Sequence, residues 1–172
     1  SVPGYMIYAS PGQVNLQVPW ELQGYNSAQV KVSVDFSFGN VVNLTLANYS
    51  PAFFEFSAGV VAALDANNKP ISASNPAVPG QEIQIFANGL GPVTNQPASG
   101  SAALANPLSK TTTTPEVTIA GLSVPVSFSG LAPGFPGLYQ VNVQVPQVGA
   151  GDHTVTLSIG GVAARKSSIQ IQ

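Results

Sequence analysis

The chain has no cysteine, one histidine, one tryptophan and one methionine in 172 residues. The missing thiols exclude disulfides, thiolate metal sites and cysteine nucleophiles together, without fixing the compartment. Charge is almost as scarce. Asp, Glu, Lys and Arg make up 7% of the sequence, against roughly 25% in an ordinary soluble domain. The five basic residues, Lys31, Lys69, Lys110, Arg165 and Lys166, form no stripe that could follow a nucleic-acid backbone. No apolar run approaches the roughly 20 residues of a membrane helix, so a nucleic-acid partner and a helical membrane span are not expected. Helical periodicity is nearly absent; only the Ala-rich stretch at 60–64 could bend that way.

Hydrophobic residues reach 44%, with 17 Gly and 15 Pro. The dominant period is two. Val30, Val32 and Val34 alternate with polar residues, as do Ile83 and Ile85, Val117 and Ile119, and Val155, Leu157 and Ile159. Such alternation describes strands with one buried and one wet face. Gly and Pro punctuate them at short intervals, which points to all-β sandwiches. With so little charge, the surface must be built from Ser, Thr, Asn, Gln, Gly and Pro. A surface of that kind repels its copies weakly, so self-association with identical subunits is expected.

A heptapeptide occurs twice. Gln13-Val14-Asn15-Leu16-Gln17-Val18-Pro19 returns as Gln140-Val141-Asn142-Val143-Gln144-Val145-Pro146, at an offset of 127 residues (13 to 140), with only Leu16 changed. After the first copy come a Val-rich strand at 28–35, a turn at Phe38-Gly39-Asn40 and a strand at 41–47. After the second come a strand at 153–159, Gly160-Gly161 and a strand at 162–171. Each set reads as the back half of an Ig-like sandwich. Only the second has a front half: Val78-Pro79-Gly80, the strand at 82–87, a polar loop at 94–114 and the strand at 116–120. The loop reads as solvated linker.

These features predict two Ig-like β-sandwich units related by an internal repeat. Residues 1–49 form an incomplete N-terminal unit, 50–76 bridging strands or linker, and 77–172 a complete C-terminal unit. In the repeat, Val14, Leu16 and Val18 should face the core and the Gln and Asn side chains the water. Half a sandwich exposes an apolar face and a sheet edge, which the linker strands, the C-terminal unit or a strand from another chain could cover. If another chain completes it, the expected assembly surface is Val14, Leu16, Val18, Phe53 and Phe54.

Four stretches carry a family resemblance: Tyr8-Ala9-Ser10-Pro11-Gly12-Gln13-Val14-Asn15 with Val18-Pro19 and Glu21-Leu22; Ser50-Pro51-Ala52-Phe53-Phe54; Asn75-Pro76-Ala77 and Pro79-Gly80 with Phe86-Ala87-Asn88-Gly89-Leu90-Gly91-Pro92; and Gly130-Leu131-Ala132-Pro133-Gly134 with Gly137-Leu138-Tyr139-Gln140-Val141-Asn142. In order and spacing the chain resembles the uncharacterised Solibacter-type C-terminal domain of large secreted acidobacterial proteins. The resemblance covers almost the whole chain. It implies secretion and an Ig-like β architecture, and it brings no catalytic residue. The strand pair that the family usually has before the first motif is short or absent here, and the chain reads as a mature or excised piece.

Sites for chemistry are few. His153 follows Asp152 directly, and an adjacent acid rarely reaches the far ring nitrogen that a Ser-His-Asp triad requires. The seven acids lie apart in sequence, giving no support to a glycosidase pair. Asp65-Ala66-Asn67-Asn68-Lys69 lacks the Gly and bidentate Glu of a calcium loop and reads as a β-turn. Gly89-Leu90-Gly91-Pro92 has no lysine and no following helix, so a phosphate loop is not expected. No catalytic, cofactor-binding or metal-binding residue is assigned, and no cofactor is expected. Trp20 and Tyr25 are candidates for stacking on a sugar; Asn43 and Asn48 open N-x-[ST] sequons. The leading expectation is a non-enzymatic, extracellular or cell-surface structural or adhesive protein, a subunit of a surface fibre assembled by strand or apolar-face complementation. The runner-up is a carbohydrate-binding module at the end of a larger secreted protein, with a polysaccharide as its partner.

Overall fold

Period-two alternation builds sixteen strands in the computed structural model, which describes residues 1–172. They are β1 (Tyr5–Ser10), β2 (Gln13–Gln17), β3 (Ser27–Val34), β4 (Ser37–Thr45), β5 (Ala52–Phe53), β6 (Glu55–Ser57), β7 (Val60–Val61), β8 (Ala63–Leu64), β9 (Glu82–Asn88), β10 (Glu116–Ile119), β11 (Leu122–Val124), β12 (Val126–Leu131), β13 (Tyr139–Gln144), β14 (Gly151–Ile159), β15 (Val162–Ala163) and β16 (Ser167–Ile171). A single 3-10 turn, Trp20–Leu22, interrupts them. The protein is all-β.

The C-terminal half is a sandwich of two sheets. One runs β11-β10-β14-β16-β7-β6, with β15 also on β14; the other runs β12-β13-β9-β5, with β8 also on β9. Ile83, Ile85 and Ala87 of one layer and Val117, Ile119, Val155, Leu157, Ile159, Ile169 and Ile171 of the other belong to one buried cluster. Removing that much apolar surface from water is the main force holding the layers together.

The strands at 50–76 are not a bridge between halves. β5 and β8 pair with β9, and β7 runs parallel to β16, so this segment supplies edges of the C-terminal sheets. Val61, Ala63 and Ile71 lie in the same core. The Ala-rich stretch forms β7 and β8, because its β-branched start fits a pleated surface better than a helix.

The sequence repeat is also a repeat of register. β1 and β2 pair Met6 with Leu16, then Tyr8 with Asn15, with a bulge between. β12 and β13 pair Val126 with Val143, then Phe128 with Asn142, with a bulge at the same step. The following hairpins agree as well. β3 and β4 pair Ser27–Val30 with Thr45–Val42, and β14 and β16 pair Asp152–Val155 with Gln170–Ser167 at a constant offset of 125 residues (30 to 155, 42 to 167). The first turn of this type falls at Asp35-Phe36, not at Phe38-Gly39-Asn40. Asp35 takes a φ of 50°, as its counterpart Gly160 takes 57°, and β4 then runs unbroken through Gly39.

The two copies differ in what covers them. β13 lies between β12 and β9, and β14 between β10 and β16. β1–β2 and β3–β4 are isolated two-stranded sheets. Val141, Val143 and Val145 are 0%, 0% and 1% exposed, whereas Val14, Leu16 and Val18 are 37%, 36% and 51% exposed. The expectation that Val14, Leu16 and Val18 face a core is thus corrected. They share one side of a strand, as period two requires, but no layer closes over that side. The buried residues of the first heptad are instead Gln17 and Pro19.

This asymmetry predicts unequal mutational costs. Ile85→Ala, at a fully buried site, should destabilise the protein by about 3 kcal/mol. Leu16→Ala should cost less than about 1 kcal/mol, since its side chain is already wet. Urea denaturation of both variants checks this; equal costs would contradict the fold described.

Candidate functional site

A cleft of about 1110 Å³ lies between the N-terminal hairpins and the sandwich. That exceeds the roughly 300–1,000 Å³ of small-molecule clefts. Every residue from Val14 to Trp20 lines it. Successive side chains of a strand point to opposite faces, so an unbroken run means the cleft follows the edge of β2 rather than one face. Leu44 and Tyr49 form part of the opposite wall, and Phe135 and Tyr139 come from the sandwich.

Polar contacts tie Gln17 and Trp20, at the cleft, to the loop at 94–114. The Gln17 side-chain oxygen accepts from the Gly100 N–H at 2.7 Å. The Trp20 N–H donates to Ser99 Oγ at 2.8 Å, and Ser99 Oγ donates to Glu21 Oε2 at 2.6 Å. The Ser99 hydrogen bond is the main reason the Glu21 carboxyl is held below its ordinary value of 4.5; a backbone hydrogen bond within Glu21 adds to it. Gly100, at a φ of +80°, lies flat under the Tyr5 ring, and a Cβ there would overlap the ring. Tyr49 docks in the same way against Gly160, and its hydroxyl shares a 2.8 Å hydrogen bond with Thr113.

The loop at 94–114 is therefore not solvated linker. Ser99 and Ser109 are buried, and Val93 and Ala103 join the core. Ser109 Oγ donates to the Asn95 carbonyl at 2.8 Å, and the Asn95 amide donates to the Leu108 carbonyl at 3.0 Å. Its Ser, Thr and Ala composition resembles a solvated segment because its hydroxyls are satisfied internally.

No protein-family model matches this chain, and no curated protein matches it. Its site is thus read from its own geometry. Of the expected assembly residues, Val14, Leu16, Val18 and Phe54 are exposed, and Val14, Leu16, Val18 and Phe54 all line the cleft. Phe53 departs from the expectation: it packs against the core, because β5 places alternate side chains in and out of the sheet. Trp20 is half-buried against the same core, and its ring N–H is buried without a partner. The indole is an anchor against the core, not a free platform. Tyr25, at the cleft wall, is exposed. Asn43 and Asn48 are exposed.

The remaining polar candidates are engaged in turns. Asp65 Oδ1 accepts from the N–H groups of Asn67 and Lys69, and Oδ2 from the Asn75 amide, closing an Asx-type turn. The Lys69 N–H is the largest cause of the lowered Asp65 carboxyl, although burial opposes it. His153 Nε2 lies 2.7 Å from the Gly149 carbonyl, so that nitrogen carries the proton and donates within its own turn. The buried Tyr139 hydroxyl donates to the Gly91 carbonyl, and burial raises its pKa. Sequence reasoning missed Gln17, Glu21, Ser99 and Gly100. No local pattern in the loop marks Ser99 or Gly100.

Because its folded pKa is lowered, Glu21 contributes stability that is present above its ordinary value and fades as pH falls through the folded value. A pH titration of the Glu21 side-chain carbon resonance should show a midpoint below the usual carboxylate range. Ser99→Ala should return that midpoint toward 4.5; an unchanged midpoint would rule out the Ser99–Glu21 contact as its cause.

Proposed function

We propose that this chain is a non-enzymatic structural or adhesive module of an extracellular or cell-surface assembly, joined to other polypeptide through its open N-terminal half. The observation that carries this reading is the placement of exposed apolar side chains. Most of them lie between Val2 and Leu44, including Tyr5, Met6, Ile7, Val14, Leu16, Val34, Phe36 and Phe38. Scattered exposed apolar residues are ordinary, but a contiguous concentration of them marks an interaction surface. With 7% charged residues, little electrostatic repulsion opposes contact between such surfaces.

The Ig-like description, the secreted setting and the resemblance to the Solibacter-type domain all belong to this reading. Sugar stacking has weaker support, because the Trp20 ring is committed to the core while Tyr25 alone is free. Self-association of identical subunits follows when the open half has no other partner.

Multi-angle light scattering during size-exclusion chromatography should show mass rising with protein concentration. Val34→Lys with Phe36→Lys, at exposed positions, should reduce that rise. A clean monomer at high concentration would remove the self-associating version.

A further inference from the structure

The second copy shows what the first copy accepts. β13 carries β12 on one edge and β9 on the other, antiparallel, with Val143 opposite Ile83 and Val141 opposite Ile85. β2 matches β13 in sequence, and β1 matches β12 in register down to the bulge. The edge of β2 equivalent to the β9 side is unpaired, and the cleft runs along it.

We propose that the β2 edge is an acceptor for an antiparallel strand with the alternation of β9, supplied by polypeptide outside these 172 residues. By the 127-residue offset, its apolar positions would sit opposite Leu16 and Val14, as Ile83 and Ile85 sit opposite Val143 and Val141. The inserted strand would turn those apolar side chains toward the cleft and cover Val14 and Leu16. This deepens the complementation reading above and rests on it.

Three observations select this edge and occupant. Val145 both donates to the Gln81 carbonyl and accepts from the Gly80 N–H. Backbone groups alternate in direction along a strand, so Val141 and Val143 face β9 as well. Their counterparts Val14, Leu16 and Val18 therefore direct their amides at the open edge. Next, β2 has no charged residue and no internal proline; β1 and β4 also lack both and β3 carries Lys31, but only β2 has the sequence and register of β13. Lysine and proline are the usual guards of an edge that is not meant to pair. Finally, the chain has no spare strand of this pattern: β9 is fully engaged with β13, β5 and β8. In a second copy β9 is engaged in the same way, so a strand of this pattern has another source.

The test is a titration of the isotope-labelled chain with a synthetic peptide of the sequence Gly80–Leu90, followed by amide NMR and hydrogen exchange. The expected result is saturable binding, with slowed exchange at Val14, Leu16 and Val18 and no change at Val141, Val143 and Val145. A peptide with both isoleucines replaced by asparagine should bind at least tenfold more weakly. Val14→Lys, on a chain shown by circular dichroism to be folded, should weaken binding of the parent peptide to the same degree. No binding at millimolar peptide, or protection confined to β13, would overturn the proposal. So would a dimer paired through β2 that the peptide fails to dissociate. Concentration-dependent association without peptide binding would overturn the strand assignment while leaving the general reading in place. Peptide binding to a strictly monomeric chain would support the assignment and end the self-association version.

Discussion

The ladder between Glu82–Asn88 and Tyr139–Gln144 is the interaction on which the C-terminal sandwich depends. It runs the full length of β13 and places Ile83 and Ile85 beside Val143 and Val141, all with less than 2% exposure. β5 and β8 then attach to the far edge of β9. Without β9, β13 would keep one partner and an open edge. That is the situation of β2, which has the same sequence rhythm and the same hairpin register. The chain therefore contains a closed and an open version of one structural unit. The difference between buried Val143 and wet Leu16 is a difference of neighbours rather than of local preference.

The open half is held in place by small contacts. Gln17, Trp20 and Glu21 grip Ser99 and Gly100, while Tyr5 and Tyr49 rest on glycines that leave room for their rings. These contacts anchor the ends of the N-terminal hairpins and leave their faces uncovered. A firmly anchored but uncovered sheet presents a fixed edge geometry, which lowers the ordering cost for an incoming strand.

Much of the strand pattern was legible because period two survives in either copy: Ile83 and Ile85, Val155 and Leu157, and Val30 and Val32 all lie on strands where alternation places them. The internal repeat was legible from seven residues. Burial in the first copy was not, because alternation tells which side chains share a face but not whether anything lies opposite. Val14 and Val141 look identical in sequence and differ in the strand beside them and the layer facing them. The loop at 94–114 was misread for a related reason. Serines and threonines that bond to backbone carbonyls have the same composition as those that bind water. Trp20 was read as a sugar-stacking candidate, but its surroundings depend on the loop that contacts it, which no local pattern encodes.

Amide hydrogen exchange on the isolated, dilute chain tests the central claim most directly. The account predicts strong protection at Val141, Val143 and Val145, whose amides are locked against β9, and rapid exchange at Val14, Leu16 and Val18 in the same experiment. Equal protection at the two sets in a monomeric sample would contradict it, because the first copy would then be closed within the chain.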